Sequence, residues 1–177
     1  MRKVLIILLL LPVVSFAQEQ TERNPFLPLE FLIGSWEGDN SGKAGVGHGY
    51  RSYEKILNGL FIRGATTMTF EPQENKLEGE VHKDLSIFSF DKSRQKIVIR
   101  EFYTEGYVNT FVLDSLSSDG RTIRFLTEES ENAPPGLKAR LLFQIKDNDH
   151  FKEQFELGFP GRDFSCFMTI EWKRIAD

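Results

Sequence analysis

Three histidines and one cysteine are the side chains of this chain best suited to metal binding or nucleophilic chemistry. His48, His82 and His150 are widely separated and have no metal-ligand spacing, so the sequence predicts no metal site. Cys166 lies in an alternating apolar segment, which predicts a small buried side chain. Because Cys166 is the only cysteine, no disulfide can form within the chain.

Motifs for covalent catalysis are absent from the sequence. No Gly-x-Ser-x-Gly elbow occurs, and Glu101 and Glu128 are isolated carboxylates without an assignable partner. The segment 38–44 superficially resembles a phosphate loop, but its glycine spacing is wrong and Ala44 replaces the required Ser or Thr. We assign no catalytic residue and read this segment as a mobile loop or lid.

The aromatic content favours binding over catalysis. The chain has 16 Phe, and pockets for small ligands combine apolar and aromatic walls with a few polar groups. Such groups recur at alternate positions of two neighbouring segments, and the predicted ligand-binding residues are Tyr50, His82, Glu101, Tyr103, Tyr107, Asn109, Phe111 and Phe143. Two alternatives remain: the Phe side chains simply fill a solid core, or the polar groups face water.

Turn signals and period-two alternation place these residues in an all-β domain. A short helical segment from Pro28 to Gly34 comes first. Turns then recur about every 8–12 residues, with Asn58-Gly59 the strongest hairpin signal. About ten strands joined by short turns predict an antiparallel up-and-down closed barrel with a short helical plug, with a sandwich as the alternative.

Alternation in the last strand predicts which of its faces is buried. Phe164, Cys166, Met168, Ile170 and Trp172 share one face, while Phe167 breaks the pattern.

The amino terminus predicts export. Arg2 and Lys3 precede an apolar run that ends at Ser15-Phe16-Ala17, which is typical of a signal peptide over 1–17. We expect a linker over 18–25, a barrel domain over 26–177, and a periplasmic or extracellular location without a membrane span. Arg2 and Lys3 leave with the signal peptide and no acidic residue does, which takes the net charge from −4 to −6 and disfavours nucleic-acid binding.

The segment from Leu29 to Gly38 is similar to the opening segment of known β-barrel families. Its apolar helix followed by Gly34-Ser35-Trp36-Glu37-Gly38 resembles the opening of nitrobindin-like barrels and related secreted bacterial proteins of unassigned function, and more widely the calycin signature of lipocalins. The resemblance implies that Trp36 plugs one barrel end under a basic residue of the last strand, Arg174 or Lys173. Gly34, Trp36, Gly38 and Arg174 are thus the expected structural signature.

The same resemblance raises the question of haem. Nitrobindins bind haem through a histidine on the penultimate or last strand, and the terminal strand here, over 163–174, has none. His82 or His150 would have to replace it, so we expect no cofactor.

Three functions therefore remain open. The favoured one is an exported barrel that binds a small hydrophobic or amphipathic molecule, as a monomer or homodimer. The alternatives are a nitrobindin-like haem protein or enzyme acting on a reactive small molecule, and an interaction scaffold with an apolar patch around Phe159 or an outward Phe167.

Overall fold

The computed structural model describes residues 24–74 and 76–176, so the predicted signal peptide and most of the predicted linker lie outside the described residues. A 3-10 helix over Leu27–Leu32 is followed by ten strands. These are β1 (Gly34–Gly42), β2 (Gly47–Ile56), β3 (Phe61–Phe70), β4 (Glu80–Asp91), β5 (Lys96–Tyr103), β6 (Val108–Leu116), β7 (Thr122–Glu131), β8 (Lys138–Ile145), β9 (His150–Gly158) and β10 (Ser165–Ile175).

The ten strands form a closed antiparallel barrel. Each strand pairs with its neighbours in sequence, and β1 closes the circle by pairing with β10. The predicted all-β up-and-down barrel is thereby confirmed, and the sandwich alternative is wrong. Closure leaves no free strand edge, which suits a chain with no disulfide.

Hairpin geometry follows the turn residues closely at the β2–β3 connection. Leu57, Asn58 and Gly59 all have positive φ, at 50°, 59° and 78°. Asn and Gly adopt this left-handed region readily, which explains why this dipeptide ends one strand and starts the next.

The 3-10 helix covers one end of the barrel. Leu29 and Leu32 are fully buried, and the Trp36 indole Nε1 donates to the Leu32 carbonyl at 2.7 Å. The Arg174 guanidinium, rather than Lys173, lies over the Trp36 ring, 4.2 Å from its centroid. Arg174 also donates to the carbonyls of Phe31 and Ile33, both at 2.7 Å. Arg174 therefore ties the helix to β10.

Close approach explains the two glycines of the signature. A Cβ at Gly34, whose φ is +119°, would stand 2.7 Å from the Arg174 guanidinium. A Cβ at Gly38 would stand 2.5 Å from the Trp172 ring. Side chains at either position would displace the residues that seal this end.

The barrel interior next to the helix is a packed aromatic core. Phe151 is fully buried and meets Trp36 edge-on at 4.7 Å and Phe143 edge-on at 5.9 Å between centroids. Other fully buried side chains here are Phe88, Phe111, Phe125 and Trp172. Edge-to-face aromatic packing of this kind leaves no room for a ligand at the closed end.

One prediction about the last strand is wrong. A β-bulge between Cys166 and Met168 shifts the register of β10 against β9. Cys166 is exposed as a result, while Phe167 packs on Phe155 with centroids 6.5 Å apart. The extra residue reverses which side chains point inward before the bulge. The expectations of a buried Cys166 and an outward Phe167 are therefore both wrong.

Candidate ligand-binding cavity

The half of the barrel away from the helix encloses a cavity of about 590 Å³. Its mouth lies among the loops that join β1 to β2, β3 to β4, β5 to β6 and β7 to β8. Most of the apolar wall comes from β8, β9 and β10, and β3 adds two side chains. The apolar lining residues are Met68, Phe70, Leu137, Ala139, Leu141, Phe155, Leu157, Phe167, Met168 and Ile170. The cavity thus has the volume and lining typical of a small-molecule site.

A buried ion pair forms the floor of the cavity. Arg51 on β2 pairs with Glu153 on β9, and Arg51 Nε donates to the Thr66 hydroxyl at 2.6 Å. The Trp172 Nε1 donates to Glu153 Oε2 at 2.8 Å, and the Arg51 guanidinium lies 4.5 Å from the centroid of the same ring. This polar layer separates the cavity from the aromatic core.

A directional hydrogen-bond chain lines the polar side. Ser130 Oγ donates to Asn109 Oδ1 at 2.7 Å, and Asn109 Nδ2 donates to the Tyr103 hydroxyl at 3.3 Å. The Tyr103 hydroxyl donates to Glu101 Oε2 at 2.5 Å. Every donor in this series of hydrogen bonds points towards Glu101, which is its last acceptor.

Burial changes the protonation of Glu101. Loss of solvation, reinforced by the negative charge of Asp84, raises the pKa of Glu101 to about 8, although the Tyr103 hydrogen bond opposes the shift. Burial and the neighbouring Glu101 also raise the pKa of Tyr103. Burial therefore shifts Glu101 towards its protonated form at neutral pH.

Asp84 and His82, both on β4, lie beside this series of hydrogen bonds. Asp84 is paired directly opposite Tyr103 in the β4–β5 register. His82 Nδ1 is 2.8 Å from Glu105 Oε1 at the mouth, and His82 Nε2 is 3.9 Å from Asp84 Oδ2. His82 thus bridges the mouth and the polar wall.

Two mouth loops are tied together. Gln73 Nε2, in the β3–β4 loop, donates to the Ala44 carbonyl of the β1–β2 loop at 3.1 Å. Asn40 Nδ2 on β1 donates to the Gly45 carbonyl at 2.7 Å and fixes the β1–β2 loop to its own strand. Lys43 and Ala44, both from the segment that resembled a phosphate loop, line the cavity mouth.

The structure brings five of the eight predicted binding residues to the cavity wall: His82, Glu101, Tyr103, Tyr107 and Asn109. Phe111 and Phe143 point inward but belong to the packed core. Tyr50 lies on the outer surface, 56% exposed, because in β2 it is Arg51 that points inward.

Sequence reasoning missed several charged cavity residues, of which Arg51, Asp84 and Glu153 lie deepest on the strands. Each occupies an inward position of its strand, where alternation alone predicts an apolar residue. Only the strand register shows that all three face one space.

The haem arrangement implied by the resemblance does not fit this interior. The described residues of β9 and β10 place no histidine on the cavity, and His150 is on the surface beside Asp147, with its Nδ1 2.9 Å from Oδ1. The described residues contain no group of three or more side chains that could hold a metal ion. Over the same residues, no helix is long and apolar enough to cross a membrane.

Comparison with known proteins supports the fold. No family model matches the chain, and no curated protein matches it. Among solved structures, the chain is similar to Rv2717c from M. tuberculosis, with a TM-score of 0.64 and 14% sequence identity over 86% of this chain and 98% of that one. This likeness supports the closed antiparallel barrel fold.

Proposed function

We propose that this protein binds a small hydrophobic or amphipathic molecule inside its barrel and performs no reaction of its own. The observation that carries the proposal is the cavity of about 590 Å³, apolar on one side and hydrogen-bonding on the other. A barrel that served only as a scaffold has no need to keep half of its interior open while the other half is densely packed.

We further propose that the protein works outside the cytoplasm. The support is the sequence of 1–17, with its basic start, apolar run and Ser15-Phe16-Ala17 end. A carrier in the periplasm or medium would meet small molecules that cross or leave the envelope.

A haem-binding role has one observation in its favour: His82 lines the cavity. Its two ring nitrogens, however, face the carboxylates of Glu105 and Asp84. An absorption spectrum of the purified protein with added haem tests this role, and a Soret shift that His82→Ala abolishes would support it.

The scaffold alternative has a different observation. Leu85 and Phe102 are 39% and 43% exposed and lie directly opposite each other on the outer surface of β4 and β5. Sedimentation at high protein concentration tests it, since a docking patch of this kind predicts self-association that Phe102→Ser weakens.

Dye binding tests the carrier proposal directly. N-phenylnaphthylamine is neutral at neutral pH and fluoresces in apolar surroundings, so it should brighten on entering the cavity. Ala133→Trp, which adds bulk at the cavity mouth, should weaken dye binding about tenfold or more. Native mass spectrometry of the untreated protein would show any cargo that survives purification.

The control places the same bulk outside the barrel. Thr67 is exposed on the outer surface of β3, so Thr67→Trp should leave dye binding unchanged. Equal loss in both variants, or no dye binding in the unchanged protein, would contradict the carrier proposal.

A further inference from the structure

Charge pairing inside the cavity is incomplete. Arg51 pairs with Glu153, Lys76 with Glu80, and His82 with Glu105. Among the charged side chains that line the cavity, three then remain: Asp84, Glu101 and Lys43. Lys43 is exposed at the mouth, whereas the two acids lie on the inner wall.

Asp84 is the least compensated of these groups. Its side chain is only 10% exposed, and its nearest basic partner, the His82 ring nitrogen Nε2, is 3.9 Å from Oδ2. No residue in the described part of the chain donates a hydrogen bond to its carboxylate. Because this carboxylate is poorly exposed and receives no donor from the described residues, a donor from a bound molecule would be favoured here.

Glu101 offers a second acceptor in the same place. Its Oε2 receives the Tyr103 hydroxyl, while within the described ranges nothing donates to its Oε1. Ser86, the residue paired with Glu101, is two positions from Asp84 on β4, so the two carboxyl groups are diagonal neighbours on one inner surface.

We propose that the cavity recognises an amphipathic cation, a protonated amine whose N–H groups donate to Asp84 and Glu101. The apolar part of this ligand lies against the facing wall, which includes Leu141, Phe155 and Ile170. This inference rests on the proposed binding function and specifies its ligand class.

Charge discriminates between head groups. An ammonium would neutralise Asp84 and form charge-assisted hydrogen bonds, which are roughly twice as strong as neutral ones. A carboxylate head would place a second negative charge next to Asp84 and would be repelled. A hydroxyl head would supply one donor without any charge compensation.

Three probes with the same alkyl chain separate these cases: decylamine, decanol and decanoate. Each is titrated against the protein loaded with N-phenylnaphthylamine at neutral pH. We expect decylamine, which is protonated there, to displace the dye at a concentration at least about tenfold lower than decanol, with decanoate the weakest.

Asp84→Asn removes the charge and keeps the shape. It should weaken decylamine binding about tenfold and leave decanol binding within about twofold. The matched control is Asp39→Asn, because Asp39 is 85% exposed on the outer surface of β1. That variant should leave all three affinities unchanged.

The outcomes distinguish the two proposals. Equal displacement by the three probes, tightest binding of decanoate, or an unchanged decylamine affinity in Asp84→Asn would overturn amine recognition and leave cavity binding intact. Failure of the dye itself to bind would overturn the binding function, and amine recognition with it.

Discussion

Arg51 and Glu153 form an ion pair across the barrel interior, with 6% and 4% of their side chains exposed. The pair links β2 to β9, and both partners make further hydrogen bonds, Arg51 to Thr66 and Glu153 to Trp172. A buried pair is tolerated only when its remaining polar atoms are satisfied, and this network largely achieves that. It also forms the polar boundary between the packed core and the open cavity.

Removing one partner of this pair should be strongly destabilising. Arg51→Met leaves Glu153 buried without a counter-charge, and we expect a loss of about 3–5 kcal/mol in the free energy of unfolding. Urea denaturation measures it. Arg63→Met is the control, since its pair with Glu54 is half exposed and should contribute less than about 1 kcal/mol. Equal losses in the two variants would contradict a buried role for the pair.

Arg174 should stabilise the closed end of the barrel through its hydrogen bonds and its contact with Trp36. Arg174→Met keeps much of the stem but loses the hydrogen bonds to Phe31 and Ile33 and the contact with Trp36. We expect a loss of about 2–4 kcal/mol in the free energy of unfolding. Lys173→Met, at a neighbouring position with a 63% exposed side chain, should cost little. A small effect at position 174 would mean that the helix is held by apolar packing alone.

Turn residues and alternation made the barrel predictable from sequence. The Asn58-Gly59 hairpin and the Trp36 opening are local signals that depend on neighbouring residues alone, and both appear in the structure. Closure follows from the number of consecutive hairpins, because each short turn forces its two strands to pair.

The composition of the cavity was less predictable, for two physical reasons. An inward arginine such as Arg51 has the same local pattern as an outward one, so Tyr50 is the more plausible pocket residue by type. A bulge such as that at Cys166–Met168 reverses the alternation without a marker in composition. The approach of Asp84 to Glu101 depends on strand register, which a single sequence does not supply.

Export predicts a defined amino terminus. When the full chain is expressed in a bacterium with a secretion system, processing after Ala17 should give a mature protein that begins at Gln18. Intact mass spectrometry of the periplasmic fraction measures this. Ala17→Tyr, which places a large residue at the cleavage position, should leave the precursor unprocessed. An unprocessed wild-type chain in the cytoplasm would contradict the export proposal.

Ionisation of Glu101 should make the barrel less stable as the pH rises. Its pKa is raised from 4.5 to about 8 by burial and by Asp84, so the folded state binds a proton that the unfolded state releases between these values. The stabilising effect of that proton is fully present below the lower value. It decreases by up to about 1.4 kcal/mol per pH unit as the pH rises towards the upper one.

Substitution by glutamine isolates this effect. The other charged and titratable groups that line the same space are unchanged in this variant, so the difference between the two stability profiles reports mainly on Glu101. These groups are Arg51, Glu153, Asp84, Tyr103 and His82. Glu101→Gln keeps the shape and cannot ionise. Its free energy of unfolding should therefore exceed that of the unchanged protein by more at about pH 9 than at about pH 5, with an added difference of about 2 kcal/mol or more. Glu54→Gln, on the outer surface, should show no such trend. Parallel profiles for Glu101→Gln and the unchanged protein would contradict a raised pKa of Glu101.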